Sequence, residues 1–142
     1  MYAKTTLYLI RHGETDWNLE KRMQGTTDIP LNDKGKRQAG NIAKHLKNIP
    51  FHAIYSSPLS RAFKTASIIA SHHPQVALIK LHTLRERSFG VMEGKTQKEF
   101  DGMHPGLNWE QSWYYPNFCP PNGESLEDVH KRVSKSIKKI LL

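Results

Sequence analysis

Arg11, His12 and Gly13 stand in consecutive positions directly after the mostly apolar stretch TLYLI. A neutral imidazole is a nucleophile, and a guanidinium beside it is a planar, permanently charged holder for an anion. Two further groups have the same flavour. Ser56-Ser57 ends a second apolar run, with Arg61 shortly behind it, and Leu84-Arg85-Glu86 ends a third. Two arginines, a histidine and a carboxyl group together suit a phosphomonoester. Arginine forks bind the phosphoryl oxygens in pairs, and their charge favours the neutral, attacking form of His12. Glu86 can give a proton to the leaving oxygen. Gly13, lacking a side chain, lets the backbone approach a phosphate.

These groups meet only if the intervening elements carry them to one place. Residues 5–10 read as a short buried strand, and FHAIYSS (centred on 53–56) and 77–81 as a second and a third strand. Between the first two, Asn32 is a helix N-cap, and Ala39, Ile42, Ala43 and Leu46 recur at helical spacing until Asn48 and Pro50. Ser57 caps the next helix, with Pro58 at its first position and Ala62, Ala66, Ile69 and Ala70 on its apolar face. That helix also aims its positive end at the proposed phosphate. Residues 14–31 read as irregular. Thr96 and Glu99 have capping-box spacing, and Ser125 and Asp128 open a last helix over 125–141. The stretch 102–123, with Trp109, Trp113, Tyr114, Tyr115 and Phe118, reads as a long ordered loop that either fills the core or covers a substrate. Alternating strands and helices predict an α/β fold, a three-layer sandwich with a mainly parallel sheet and helices on both faces. In such sheets ligands sit at the carboxyl ends of the strands, where the three groups lie.

The bulk composition fits this picture. A chain of 142 residues with 37% hydrophobic and 24% charged residues reads as globular, with its length favouring a single domain over 1–142. No run is long and apolar enough for a membrane span, and the N-terminus lacks a signal-peptide core, so a cytoplasmic location is expected. Cys119 is the single cysteine, which excludes a disulfide framework. The net charge of +8 raises nucleic acid as a partner. Its densest basic group, Lys131, Arg132, Lys135, Lys138 and Lys139, reads instead as a solvated helix face. A nucleic-acid module would leave the three strand-end groups unexplained. A small phosphorylated metabolite is the expected partner, with neither nucleic acid nor membrane.

The run Leu9-Ile10-Arg11-His12-Gly13-Glu14-Thr15, followed by Trp17-Asn18, resembles the signature of the histidine phosphatase superfamily, also called phosphoglycerate mutase-like. The blocks QGTTDIPLNDKGKRQA, SSPLSRAFKTA, LRERSFGVMEG and GESLEDVHKRV extend the resemblance over nearly the whole chain. It implies a phosphohistidine at His12, a phosphoryl clamp of Arg11 and Arg61, and an acid that later acts as base at Glu86, with Glu93 as the rival carboxyl. It implies substrate contacts from Gly13, Asn18, Gln24 and Gly25, and neither metal nor cofactor. The short length and the FGVMEG block are more similar to the broad phosphatases than to the glycolytic mutases. The family pattern also continues into a further strand, set between the first two, and a second catalytic histidine in a His-Gly pair. None of His45, His52, His72, His73, His82, His104 and His130 is followed by glycine. The sheet is therefore expected to be incomplete at its C-terminal part, the chain corresponding to the N-terminal two-thirds of the family domain. Activity impaired by truncation, mutase-type transfer and a non-catalytic phosphate-binding remnant all stay open. Exchange of elements with a second copy, a homo-oligomer, is one route to a complete fold.

Overall fold

The computed structural model describes residues 5–106, 110 and 114–141. A short first helix, α1 (Asp16–Leu19), is closed by a capping box between Thr15 and Asn18. It lies within the stretch read as irregular, because one helical turn leaves no periodicity to detect. Helix α2 (Asp33–Leu46) starts where expected, with Asn32 Oδ1 accepting the Gly35 N–H at 2.8 Å. Strand β1 (Ala53–Ser56) and strand β2 (Ala77–Lys80) pair in parallel, Ala53 opposite Ala77 and Ser56 opposite Lys80. Helix α3 (Ser60–Ala70) is the crossover between them; it packs on both strands and on α2. The buried alanines Ala39, Ala43 and Ala66 keep that helical layer thin.

Helix α3 begins two residues later than a cap at Ser57 and a first position at Pro58 would place it. Pro58 sits in a bend before the helix, and the cap arrives from a distant loop: Asp28 Oδ1 accepts the Ser60 N–H at 2.7 Å. Helix α4 (Gln97–Met103) opens on the Thr96–Glu99 capping box and delivers Phe100 to a buried cluster with Met23, Phe89 and Met92. Helix α5 (Leu126–Leu141) opens on reciprocal bonds between Ser125 and Asp128 and packs on the single turn His82–Leu84. These layers give the expected α/β architecture with a small parallel sheet. The stretch 102–123 is not all loop, since α4 runs to Met103. Pro120 is buried, Tyr114 and Tyr115 are exposed, and Trp109 and Trp113 lie outside the described residues. Among the described residues no helix is long and apolar enough to cross a membrane.

Residues 5–10 depart from expectation. They join no ladder, and Leu7, Leu9 and Ile10 are 48%, 83% and 42% exposed. The reason is a gap. An open cleft of about 940 Å³ is lined by this segment on one side and by Ala53, Ile54 and Tyr55 of β1 on the other. Ala62, Ala66 and Ile69 of α3 and Ile137 and Ile140 of α5 wall it as well. The apolar run has the composition of a buried strand but pairs with no backbone neighbour among the described residues.

Candidate active site

The cleft ends at the residues with chemistry. Arg11, His12, Asn18, Gln24, Gly25, Arg61 and Glu86 all line it. Gly13 lines instead a smaller adjoining hollow of about 450 Å³, which Arg11, His12 and Asn18 share. Its N–H donates to Thr65 Oγ1 at 3.1 Å on α3. A Cβ at Gly13 would lie 2.3 Å from the Gly35 carbonyl oxygen, so packing against the first turn of α2 requires glycine here. This packing is a second reason for glycine here, beside approach to a phosphate.

His12 Nδ1 donates to the Gly13 carbonyl oxygen at 2.7 Å. A carbonyl can only accept, so Nδ1 carries a proton, and in the neutral imidazole Nε2 keeps its lone pair. Burial lowers the His12 pKa; the bond to Gly13 and the charge of Glu86 oppose this, while Arg61 and Arg11 add to it. The net direction is down, toward the neutral imidazole.

Arg61 is 1% exposed. Its Nη1 donates to the Thr27 carbonyl at 2.9 Å and its Nη2 to the Gly25 carbonyl at 2.6 Å. Among the described residues no carboxylate lies within 4.0 Å of it. A buried cation without a counter-ion is costly, and burial lowers its pKa despite the more distant charges of Glu86, Asp28 and Glu93. An anion in the cleft would relieve that cost. Arg11 is the exposed member of the pair. Asn18 and Gln24 are braced by Thr15: its N–H donates to Asn18 Oδ1 at 3.0 Å and its hydroxyl lies 2.8 Å from Gln24 Oε1. The amide nitrogens of Asn18 and Gln24 are the ends left to donate.

Glu86 is exposed at the cleft, and its Oε1 accepts the Arg87 N–H at 2.9 Å. The backbone that carries it is gripped from α5. Arg132 donates to the carbonyls of Thr83, Arg85 and Glu86 at 2.7, 2.8 and 3.1 Å, and to both oxygens of Glu124 at 2.9 Å. Arg132 is thus not part of a solvated basic face. Its position among lysines hid it; an arginine in such a row is the residue type able to bind several carbonyls at once. Glu93 does not line the cleft. Its carboxylate is taken up by the N–H groups of Thr26, Thr27 and Phe89. Thr15 and Thr65, which brace the site, carried no signal in the sequence beyond their type.

The sequence profile of the histidine phosphatase superfamily (branch 1) matches residues 7–141. The uncharacterized phosphatase PhoE of Bacillus subtilis is 36% identical over 136 residues, covering 96% of this chain and 64% of the relative. Phosphoglycerate mutase-like protein 4 of Arabidopsis thaliana is 36% identical, with 94% and 59% covered. Among solved structures, Bacillus stearothermophilus YhfR superposes with a TM-score of 0.84 at 37% identity, over 92% of this chain and 64% of that one. A mycobacterial glucosyl-3-phosphoglycerate phosphatase, solved with VO3, superposes at 0.81 and 32% identity, with 92% and 61% covered. The chain spans about three-fifths of the length of these relatives.

Proposed function

Since the chain belongs to the histidine phosphatase superfamily (branch 1), we propose that its cleft binds the phosphoryl group of a small phosphomonoester and that His12 is the phosphoryl acceptor. The observation that carries this is Arg61, buried with no carboxylate partner among the described residues and lining the same cleft as a histidine whose Nδ1 donates to the Gly13 carbonyl. Arg11 and Arg61 take the phosphoryl oxygens, with Asn18, Gln24 and Gly25 at the rim. Nε2 of His12 attacks phosphorus, the bond to the ester oxygen breaks, and Glu86 protonates that oxygen. Water then attacks the phosphohistidine, the Glu86 carboxylate takes its proton, and inorganic phosphate leaves with His12 restored. Mutase-type transfer shares the first of these steps and differs only in the acceptor of the second.

A second reading is favoured by the gap beside residues 5–10. The family resemblance puts a further strand and a second histidine between the first two strands, and the cleft occupies that place. On this reading the chain as given binds oxyanions but turns over slowly. Losing one preorganised donor costs ~10²–10³ in rate. The test is hydrolysis of p-nitrophenyl phosphate beside phosphate binding by calorimetry, each with His12→Ala as control. Turnover that disappears in the variant supports the enzyme reading. Phosphate binding without turnover supports the binding reading. A folded chain that does neither overturns both.

A further inference from the structure

We propose that Glu93 is a positioning residue for the anion clamp: it fixes the loop 25–27 whose carbonyls hold the Arg61 guanidinium and balances the Arg61 charge at one remove, leaving the rest of the guanidinium open to a ligand. The inference rests on reading the cleft as a phosphoryl site. Its geometry is continuous. Glu93 Oε1 accepts the Thr26 N–H at 3.0 Å and Oε2 the Thr27 N–H at 2.9 Å, with both threonine hydroxyls adding bonds. The Thr26 N–H and the Gly25 carbonyl belong to one peptide unit. Glu93 therefore holds the nitrogen end of the very peptide whose oxygen end receives Arg61 Nη2 at 2.6 Å. The Thr27 N–H and carbonyl, in adjoining peptides, repeat the pattern with Nη1 at 2.9 Å. Carboxylate, peptide dipole and guanidinium are linked head to tail, an arrangement in which each hydrogen bond polarises the next.

A direct ion pair would stabilise Arg61 equally well, but it would occupy the fork that a phosphoryl group needs. Two more features serve the same approach. Gly25 has φ +55°, and a Cβ there would lie 2.2 Å from Glu93 Oε1, so a glycine is needed for the carboxylate to come this close. The Phe89 N–H, 2.9 Å from Oε1, ties Glu93 to the buried cluster below. Burial by itself would raise the Glu93 pKa. The bonds from Thr27, Thr26 and Phe89 outweigh it and keep the carboxylate ionised.

The variant is Glu93→Gln, which keeps the shape but loses the charge and one acceptor. Two readouts are needed: inorganic phosphate affinity by calorimetry, and the Arg61 Nη signals in ¹⁵N–¹H correlation spectra. The expected result is phosphate binding weakened about tenfold, the scale of one lost charge-assisted hydrogen bond. The Arg61 Nη signals should also collapse into a rotationally averaged set. If E93Q does not fold, Gly25→Ala displaces the carboxylate from the other side and should give the same pair of changes. Affinity within twofold of the parent chain, or unchanged Arg61 signals, overturns the proposal. A parent chain that binds no phosphate removes the phosphoryl reading, while the Arg61 signals still decide what Glu93 does.

Discussion

Replacing Arg61 by methionine separates what this residue contributes to folding from what it contributes to binding. The substitution removes a cation that is 1% exposed and unpaired among the described residues, and it leaves the carbonyls of Gly25 and Thr27 without their donors. Each orphaned carbonyl costs ~1–3 kcal/mol. Relief from burying an unpaired charge returns several kcal/mol. The two nearly cancel, so the melting temperature of Arg61→Met should stay close to that of the parent. Ligand-induced stabilisation should not. At a hundredfold excess over Kd, phosphate stabilises the parent by ~2.7 kcal/mol, which at ~3 °C per kcal/mol for a chain of this size raises Tm by ~8 °C. Losing a buried charged contact weakens binding by ~3 kcal/mol, more than a hundredfold. The same phosphate concentration is then near or below the new Kd, and the gain falls to ~0.4 kcal/mol or less, ~1 °C. Thermal melts of both proteins with and without phosphate measure this directly. Equal phosphate shifts in the two would refute the assignment of Arg61 as the anion clamp.

His12 should titrate below 6.5 in an NMR pH series of its ring protons, and Arg61→Met should move the midpoint up by removing one repelling charge. A folded-state pKa below the unfolded value means that the unfolded chain takes up protons first. This residue therefore costs stability as pH falls from 6.5 through its folded midpoint; a midpoint at or above 6.5 would contradict the electrostatics described. Arg132→Met strips donors from three carbonyls and from Glu124 at a partly exposed site, worth about 2 kcal/mol after allowance for solvent. Tm should drop by ~6 °C, whereas Lys131→Met should leave it in place; equal effects would restore the solvated-face reading. Amides of residues 6–10 should exchange with deuterium far faster than those of the β1–β2 ladder, and equal protection would show that the segment has a partner.

The helix starts at Asn32, Thr96 and Ser125 were legible because a cap and its target lie within three residues of each other. Strands β1 and β2 were legible as compact apolar runs of the right length. The start of α3 was not, since its cap, Asp28, is 32 residues away from Ser60. The fate of residues 5–10 was legible only through the family resemblance, which sets the further strand beside them; the apolar run by itself says nothing about whether a neighbour is within reach. At the site, the topology rule brought His12, Arg61 and Glu86 together from three separate strand ends, and one cleft contains them. Glu93 and Arg132 escaped because each acts on backbone atoms, which have no identity in a sequence.

The two halves of the site differ in how they are held. Arg61 projects from the first turn of α3, a helix packed on α2 and on both strands, and its guanidinium is tied to a loop that Glu93 fixes from behind. That half is preorganised by contacts wholly within the described chain. Arg11 and His12 follow a segment without a ladder, with the Gly13 N–H bond to Thr65 as an anchor to α3. On the proposed function, anion binding would draw on the first half alone, because binding needs charge and a fixed fork. In-line attack needs more: the imidazole must be held against phosphorus with little angular freedom. On the proposed function, binding and chemistry would therefore depend on different parts of the structure. Whatever pairs with residues 5–10 should raise the rate of phosphoryl transfer to His12 more than it raises affinity for phosphate.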